Sequence, residues 1–438
     1  MAVIGCGYLG TTHAACMAEL GHDVLGIDND EVKLAALSAG EVPFFEPELA
    51  EIFRKATIGG RLRFSSSYEE AVEFAEVIFV TVGTPQKKGE EAADLQFVDA
   101  AISRIAPLLD KPMTIIGKST VPVGTAARLG KIVETSAPPG VQVEVAWNPE
   151  FLREGHAVRD TLRPDRIIIG VARPGSSQAE VALRDIYADQ LKDGVPLIIT
   201  DLATAELVKL AANAFLATKI SFINAISEVC DAAGADVTLL ADAIGYDQRI
   251  GRQFLNAGLG FGGGCLPKDI RAFMARAGEL GVSQILTFLR EVDSINVRCR
   301  ARVIEMAREA CGGDLTGARV AVLGAAFKPN SDDVRDSPAL HVAGQLQLQG
   351  AEVRVFDPKA MENSRILFPT LHYAESVLDT CLGVDLVMLL TEWPEFCSID
   401  PDELKSTVRT ASIIDGRNCL DASAWRSAGW TYRGLGRP

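Results

Sequence analysis

The chain has 438 residues, 48% apolar and 23% charged, with a formal net charge of −15 at pH 7. That length suggests two or three domains at ~150 residues each, and the composition is that of a globular protein with a full core. The acidic surplus argues against nucleic acid as a partner, because phosphate neutralisation needs clustered Lys and Arg, while a small anion held by local cations stays possible.

The nine cysteines are scattered without C-x-x-C pairs and there are five histidines. This pattern fits reduced thiols and offers no His-rich cluster, so no metal is expected. The N-terminus opens directly in an apolar strand with no secretory pattern, and no uninterrupted apolar run approaches the ~20 residues of a span. The expectation is a cytoplasmic protein without membrane contact.

In chain order, Ala2–Ile4, Val24–Asp28, Val77–Val82, Thr114–Lys118, Val143–Ala146, Arg166–Gly170 and Leu197–Thr200 read as buried strands, with helical stretches between several of them. Strands alternating with helices predict a parallel, doubly wound sheet. From Ala203 to about Ala233 there is no Pro or Gly, which predicts a long helix capped by Thr200 or Asp201 and ended by Gly234. More helix follows, interrupted by Gly258–Gly264. A second alternation begins near residue 316, with strands at Arg319–Leu323, Glu352–Phe356, Leu386–Leu390 and Ser412–Ile414 and a helix at Ala339–Gln349. The expected fold is α/β, with two Rossmann-like doubly wound domains joined by a long central helix and a helical region. The expected boundaries are 1–200, 201–300 and 301–438.

Gly5-Cys6-Gly7-Tyr8-Leu9-Gly10 is G-x-G-x-x-G between a strand and a helix. Gly5 permits the tight turn, Gly7 lets backbone approach a pyrophosphate, and Gly10 lets helix and strand pack closely. The pyrophosphate would sit on the helix N-terminus, where free N–H groups favour an anion. Asp28 ends the next strand, where a carboxylate accepts from ribose hydroxyls and repels a 2′-phosphate, so NAD is favoured over NADP. The loop of the second alternating domain, Gly324-Ala325-Ala326, lacks the second glycine, and no dinucleotide is expected there.

The second unusual segment is Gly258-Leu259-Gly260-Phe261-Gly262-Gly263-Gly264-Cys265-Leu266-Pro267-Lys268-Asp269. Its glycines let backbone approach a ligand closely. A cysteine is ordinarily a small core residue, but Cys265 follows this loop and precedes Lys268, and a cation and a helix N-terminus both favour a thiolate. Asp269 would share a helical face with Cys265. Lys209 and Asn213 are likewise four apart, though a Lys beside apolar neighbours is often a snorkelling surface residue. Glu150 and Glu154 lie in Trp147–Gly155, after a strand. They could serve as acid–base or hydroxyl-binding groups, or merely as acidic residues in a helix first turn.

Taken in order, several segments resemble the UDP-glucose/GDP-mannose dehydrogenase family over essentially the whole chain. They are Gly5–Gly10, Val82-Gly83-Thr84-Pro85, Lys118–Thr125, Asn148–Gly155, Glu206–Asn213, Asp247–Gly251, the Cys265 loop and Phe327–Arg335. The resemblance implies oxidation of a sugar C6 alcohol to a carboxylate by two NAD molecules in turn, with Cys265 as the nucleophile that carries a thiohemiacetal and then a thioester. It implies that Lys209 stabilises an oxyanion, that Asn213 positions the reacting oxygen, and that Asp269, Glu150 and Thr120 surround the hydrolytic water. For NAD it adds Tyr8, Leu9, Lys33, Thr84, Thr120, Glu154 and Arg335 to Gly5, Gly7, Gly10 and Asp28. For the nucleotide sugar it implies Glu150, Phe151, Leu152, Lys209, Asn213, Arg249, Phe254, Leu255, Asn256, Phe261, Gly262, Lys328 and Arg417. It further implies a homodimer built on the long helix, with Arg249 reaching the partner subunit's site.

UDP-glucose, giving UDP-glucuronate, is the favoured substrate. GDP-mannose or a UDP-N-acetyl-hexosamine would suit the same chemistry. A two-electron hydroxy-acid dehydrogenase shares the N-terminal fold but needs neither Cys265 nor a third domain, and a non-catalytic NAD sensor would not need Cys265, Lys209, Asn213 and Asp269 together.

Overall fold

A computed structural model describes residues 1–438, apart from the side chain of residue 283. The chain divides into two compact units, Met1–Ala212 with Arg271–Leu280, and Asn213–Ile270 with Gly281–Pro438.

The first unit holds an eight-stranded sheet. Its strands are β1 (Ala2–Ile4), β2 (Val24–Ile27), β3 (Leu62–Ser65), β4 (Val77–Val80), β5 (Met113–Gly117), β6 (Val143–Trp147), β7 (Ile167–Val171) and β8 (Leu197–Asp201). They lie in the order β3-β2-β1-β4-β5-β6-β7-β8. The first six positions have the order of a dinucleotide-binding sheet, whose switch point falls between β1 and β4. All neighbours are parallel except β6 and β7, which meet antiparallel at Trp147 and Gly170. Apolar layers cover both faces, one including Ile4, Ile27, Val80 and Ile115, the other Val3, Phe79, Ile116 and Ile169. That two-sided burial is why these strands read as continuous apolar runs.

The second unit contains β9 (Arg319–Leu323), β10 (Glu352–Phe356), β11 (His372–Tyr373), β12 (Leu386–Leu389), β13 (Ser412–Asp415) and β14 (Thr431–Gly434). Their order is β11-β10-β9-β12-β13-β14, parallel throughout, so the same winding occurs twice in one chain. Reading the sequence missed β3, β11 and β14. All three are edge strands of two to four residues, too short or too polar to show periodicity.

The long helix runs from Leu202 to Ala233. The Asp201 carboxylate accepts from Thr204 N at 2.8 Å and caps it, and Gly234 follows with φ of 72°. Among the described residues it is one helix long and apolar enough to cross a membrane by length and composition, at a mean hydropathy of 1.2. The sequence reading, which sought an unbroken run, found no such stretch because polar side chains interrupt this one. Phe215, Phe222 and Val229, spaced by seven, are 66%, 50% and 61% exposed and form an apolar stripe on one face.

His13, on the helix Tyr8–Glu19, is fully buried with its ring 4.6 Å from that of Phe79. Burial, assisted by the Lys118 charge, holds its pKa well below the usual value of 6.5. The unfolded chain therefore takes up a proton at His13 below about pH 6.5 that the folded chain refuses. Stability should fall as pH drops through that value, by at most about 1.4 kcal/mol per pH unit from this group. Urea midpoints measured from pH 7 to pH 5 should show the slope, and His13→Leu should lose that part of it; an identical slope in the variant would count against the assignment.

Candidate active site

The cofactor turn lies in the first unit. Gly5 N donates to Ile27 O at 2.7 Å and Cys6 N to Asp28 Oδ2 at 2.8 Å. A Cβ on Gly10 would lie 1.9 Å from Gly5 O, so only glycine lets the helix start so close to the strand end. The helix N-cap, Gly7, provides no side-chain cap, and a Cβ there would meet nothing within 4 Å. No side chain caps this helix start and the space beside Gly7 is open, which suits the close approach of a pyrophosphate. Asp28 is 8% exposed, accepts also from Asp30 N at 3.1 Å, and pairs with Lys33 Nζ at 3.0 Å. Its carboxylate is fixed in place, with one acceptor site, on Oδ1, left for a ribose hydroxyl.

The second sheet repeats this arrangement with its aspartate fully bonded. Asp357, at the end of β10, accepts from Ala325 N, Ala326 N and Trp393 Nε1 through Oδ2, at 2.8, 2.9 and 3.0 Å. Lys359 N and Ala360 N take Oδ1 at 2.9 and 2.8 Å. Asp357 is 1% exposed, and every lone pair it could offer a ribose is engaged.

Around the turn, Thr84 Oγ1 donates to Thr120 O at 2.7 Å. Tyr8 donates its hydroxyl to Glu46, and Gly155 N and Ala157 N donate to the same carboxylate at 2.6 and 2.7 Å. Burial raises the Glu46 pKa, opposed by these bonds. Glu46 thus ties Tyr8 to the segment carrying Glu154, which is itself 9% exposed. Sequence reading missed Glu46 because no motif marks it.

Glu150 lies in a loop, since the next helix begins only at Ala157. This removes the reading of Glu150 and Glu154 as helix first-turn residues: backbone N–H groups of Phe151 and Leu152 turn back onto Glu150 Oε1, at 2.6 and 2.5 Å, in place of helical pairing. Glu150 Oε2 stands 3.4 Å from Lys118 Nζ. The Phe151 ring lies under the Arg166 guanidinium at 3.9 Å and Lys209 Nζ at 5.5 Å. Lys209 is 9% exposed, and so does not snorkel to the surface.

In the second unit Cys265 is exposed immediately before the helix Leu266–Glu279, and its carbonyl accepts from Asp269 N at 2.9 Å. Asp269 is 2% exposed and accepts from Asn213 Nδ2 at 2.6 Å and Lys268 Nζ at 2.5 Å. Asn213, Lys268 and Asp269 therefore form one polar cluster, one helical turn from Cys265, with the Asn213 amide carbonyl oriented by its donor side.

The glycine loop is clamped by backbone contacts. Asn296 accepts from Phe261 N at 2.7 Å and donates to Phe261 O at 3.0 Å. One turn on, Arg300 donates to Phe261 O at 3.2 Å and to Asp336 Oδ1 at 2.8 Å. A Cβ on Gly263 would lie 2.8 Å from the Phe327 ring, and one on Gly264 2.4 Å from the Arg335 guanidinium. The glycines exist because side chains press on the backbone from outside. Arg335 is also held by Asp333.

Arg417 donates to Leu390 O, Gly260 O and Phe327 O at 2.9, 3.0 and 3.2 Å and pairs with Glu392 at 3.2 Å. It ties the glycine loop to two loops of the sheet. Lys328 Nζ lies 5.3 Å over the Phe327 ring. Phe254 has φ of 65°, Leu255 is 2% exposed, and Asn256 Oδ1 accepts from Arg252 at 2.7 Å. Arg249 pairs with Asp247 and its side chain is 88% exposed. Asn296, Arg300 and Asp336 were not singled out in the sequence, although an Asn and an Arg four apart on a helix was a readable sign.

Three family models describe successive parts of the chain: the UDP-glucose/GDP-mannose dehydrogenase NAD binding domain over residues 1–191, its central domain over 203–298, and its UDP binding domain over 321–422. The chain is 42% identical to UDP-glucose 6-dehydrogenase of Rhizobium meliloti (strain 1021), covering 100% of this chain and 99% of that one. The chain belongs to the UDP-glucose/GDP-mannose dehydrogenase family. It is also 41% identical to UDP-glucose 6-dehydrogenase YwqF of Bacillus subtilis (strain 168), over 99% of this chain and 97% of the relative. A solved UDP-glucose dehydrogenase from Pyrobaculum islandicum matches with a TM-score of 0.90 and 38% identity, covering 100% of this chain and 97% of that one. The protein is an NAD-dependent dehydrogenase with a UDP binding domain, and its two doubly wound sheets are those expected from the sequence.

Asp28→Ala removes the acceptor offered to the ribose. A hydrogen bond to a charged group contributes about 1.5–3 kcal/mol, so NAD affinity should drop by roughly 10-fold to 100-fold, with NADP losing its disadvantage. Titration of both nucleotides by cofactor fluorescence checks this; unchanged NAD binding would exclude Asp28 from the ribose site.

Proposed function

We propose that this enzyme oxidises UDP-glucose at C6 to UDP-glucuronate, taking four electrons from each sugar. The observation that carries the reading is an exposed Cys265 at a helix start beside the Asp269–Asn213–Lys268 cluster, on a glycine loop held by Asn296 and Arg300. Relatives at about 40% identity over the full length bear the name UDP-glucose 6-dehydrogenase.

NAD supplies the acceptor for the hydride lost in each of the two oxidations. Gly5, Gly7, Tyr8, Leu9, Gly10, Asp28, Lys33, Thr84, Thr120, Glu154 and Arg335 would hold it. The first oxidation removes a hydride and a proton from the C6 alcohol and leaves an aldehyde. Cys265 Sγ then bonds to C6 and the carbonyl oxygen gains a proton, giving a thiohemiacetal. Loss of the C6 hydride and the hydroxyl proton makes a thioester. Water adds, the C–S bond breaks, and the carboxylate leaves with the thiol restored. A cysteine serves here because it keeps the aldehyde bound between oxidations and yields a hydrolysable acyl group.

Lys209 counters negative charge on the C6 oxygen, and Asn213 aligns that oxygen. Asp269, Glu150 and Thr120 order the water and move its protons. Phe151, Leu152, Arg249, Phe254, Leu255, Asn256, Phe261, Gly262, Lys328 and Arg417 would contact the nucleotide sugar. In this reading residues 1–200 bind NAD, 201–300 carry the central helices and Cys265, and 301–438 receive the UDP moiety, in a cytoplasmic enzyme.

The working form would be a homodimer. The heptad-spaced stripe of Phe215, Phe222 and Val229 supports a helix partner on that face. Arg249, projecting beside Asp247, would act in the partner's site.

Purified protein given UDP-glucose should release two NADH per sugar; one NADH, or faster oxidation of GDP-mannose or a UDP-N-acetyl-hexosamine, would defeat the substrate assignment. Cys265→Ser should stop formation of UDP-glucuronate and leave NAD titration near normal, whereas wild-type turnover would remove Cys265 from the chemistry. Phe222→Glu should shift light-scattering mass from dimer to monomer at micromolar protein; a wild-type mass would place the dimer contact elsewhere.

A further inference from the structure

Lys118 is a buried cation outside the groups assigned to cofactor or sugar. It follows β5 directly and is 4% exposed. Its Nζ has three acceptors: Asn148 Oδ1 at 2.9 Å, Tyr187 Oη at 3.4 Å and Glu150 Oε2 at 3.4 Å. Two of those partners are rigidly placed. Asn148 follows β6, donates through N to Gly117 O at 2.8 Å and through Nδ2 to Ile168 O at 2.8 Å. Tyr187 donates its hydroxyl to Asn148 Oδ1 at 2.9 Å and is 5% exposed. The third partner, Glu150, lies on the loop and is its anionic partner.

Burying an ammonium costs several kcal/mol, and one buried ion pair rarely returns more than an apolar pair of equal size would. Stability alone therefore gives a weak reason for Lys118. Burial by itself would lower the Lys118 pKa, but Tyr187 and Glu150 outweigh it and the net shift is upward, so the side chain stays cationic.

The arrangement on Glu150 is more informative. Its Oε1 is taken by Phe151 N and Leu152 N, and Lys118 engages Oε2. Both carboxylate oxygens are thereby assigned, and rotation of the group is opposed by a cation anchored to Asn148 after β6 and to Tyr187, which follows the helix Gln178–Ile186. The same loop carries Phe151, whose ring lies under Lys209. Moving Glu150 would move that ring.

We propose that Lys118 is a positioning residue that fixes the Glu150 carboxylate in its working orientation. This rests on the role given above to Glu150 in ordering water and protons. In this assignment Lys118, whose Nζ is directed at Asn148, Tyr187 and Glu150, acts through Glu150.

The test is a double-variant cycle on steady-state oxidation of UDP-glucose. Lys118→Met should lower kcat by about 10-fold to 100-fold, the scale of a small misplacement of a catalytic group, with KM for NAD unchanged. Lys118→Arg, which keeps the cation, should recover part of the loss. In a Glu150→Gln background, already slow, Lys118→Met should cost nothing further, since the two act as one unit. Should Lys118→Met fail to fold, Lys118→Arg carries the same cycle with a smaller first loss. Additive losses in the double variant, a rise in KM for NAD at constant kcat, or wild-type turnover of Lys118→Met beside a slow Glu150→Gln would each overturn the assignment while leaving the role of Glu150 standing. Wild-type turnover of Glu150→Gln would overturn both.

Discussion

An aspartate at the end of the second strand accepts the N–H that follows the first strand, and both sheets are organised on this bond. Cys6 N reaches Asp28 at 2.8 Å in one unit and Ala325 N reaches Asp357 at the same distance in the other. The bond fixes the turn after the first strand; in the first unit the helix Tyr8–Glu19 follows that turn directly, whereas in the second the next helix begins only at Pro338. From that shared beginning the two sheets part. Asp28 keeps acceptor capacity, whereas Asp357 spends all of it on backbone and on the Trp393 indole. One carboxylate keeps an acceptor site open and the other is a buried strut. Neighbouring bonds, not the presence of the aspartate, decide whether a sheet of this order can take a dinucleotide.

The glycine loop follows a related logic. Its backbone is held by side chains: Asn296 and Arg300 grip Phe261, Arg417 grips Gly260, and the Phe327 ring and Arg335 press on Gly263 and Gly264. A Cβ at several of these places would push a neighbour aside. The loop ends in an exposed thiol, so a clamped segment holds that thiol at the surface. The polar groups around Asp269 are bonded to one another, which leaves few torsions for them to lose when a substrate arrives.

Much of this was legible in the sequence. Most buried strands and the long helix stand out by apolar runs and by the absence of Pro and Gly, and the cofactor turn is marked by glycines with Asp28 at the right distance. What stayed hidden is set by tertiary contact. Glu46 bridges Tyr8 and residue 155 across more than a hundred positions, and no spacing rule links such distant segments. The loop around Glu150 could be taken for a helix start because acidic residues occur in both, and only the turned-back N–H groups distinguish them. Lys118 stood inside a recognised segment, yet its burial and its three acceptors depend on Asn148 and Tyr187 from elsewhere in the chain. Edge strands such as β11 have two residues and follow from the sheet rather than from their own sequence.

The clamp on the glycine loop has a kinetic consequence within the proposed chemistry. With Phe261 and Gly260 pinned through the main chain, a sugar carried on Cys265 would have only the torsions about Cα–Cβ, Cβ–Sγ, Sγ–C6 and C5–C6 to turn through. Alcohol-derived and acyl forms must present C6 from nearly one place, by small side-chain rotations. In that proposed chemistry the tethered intermediate would behave as a short crank on a fixed bearing, so that dinucleotides are exchanged while the sugar stays in place.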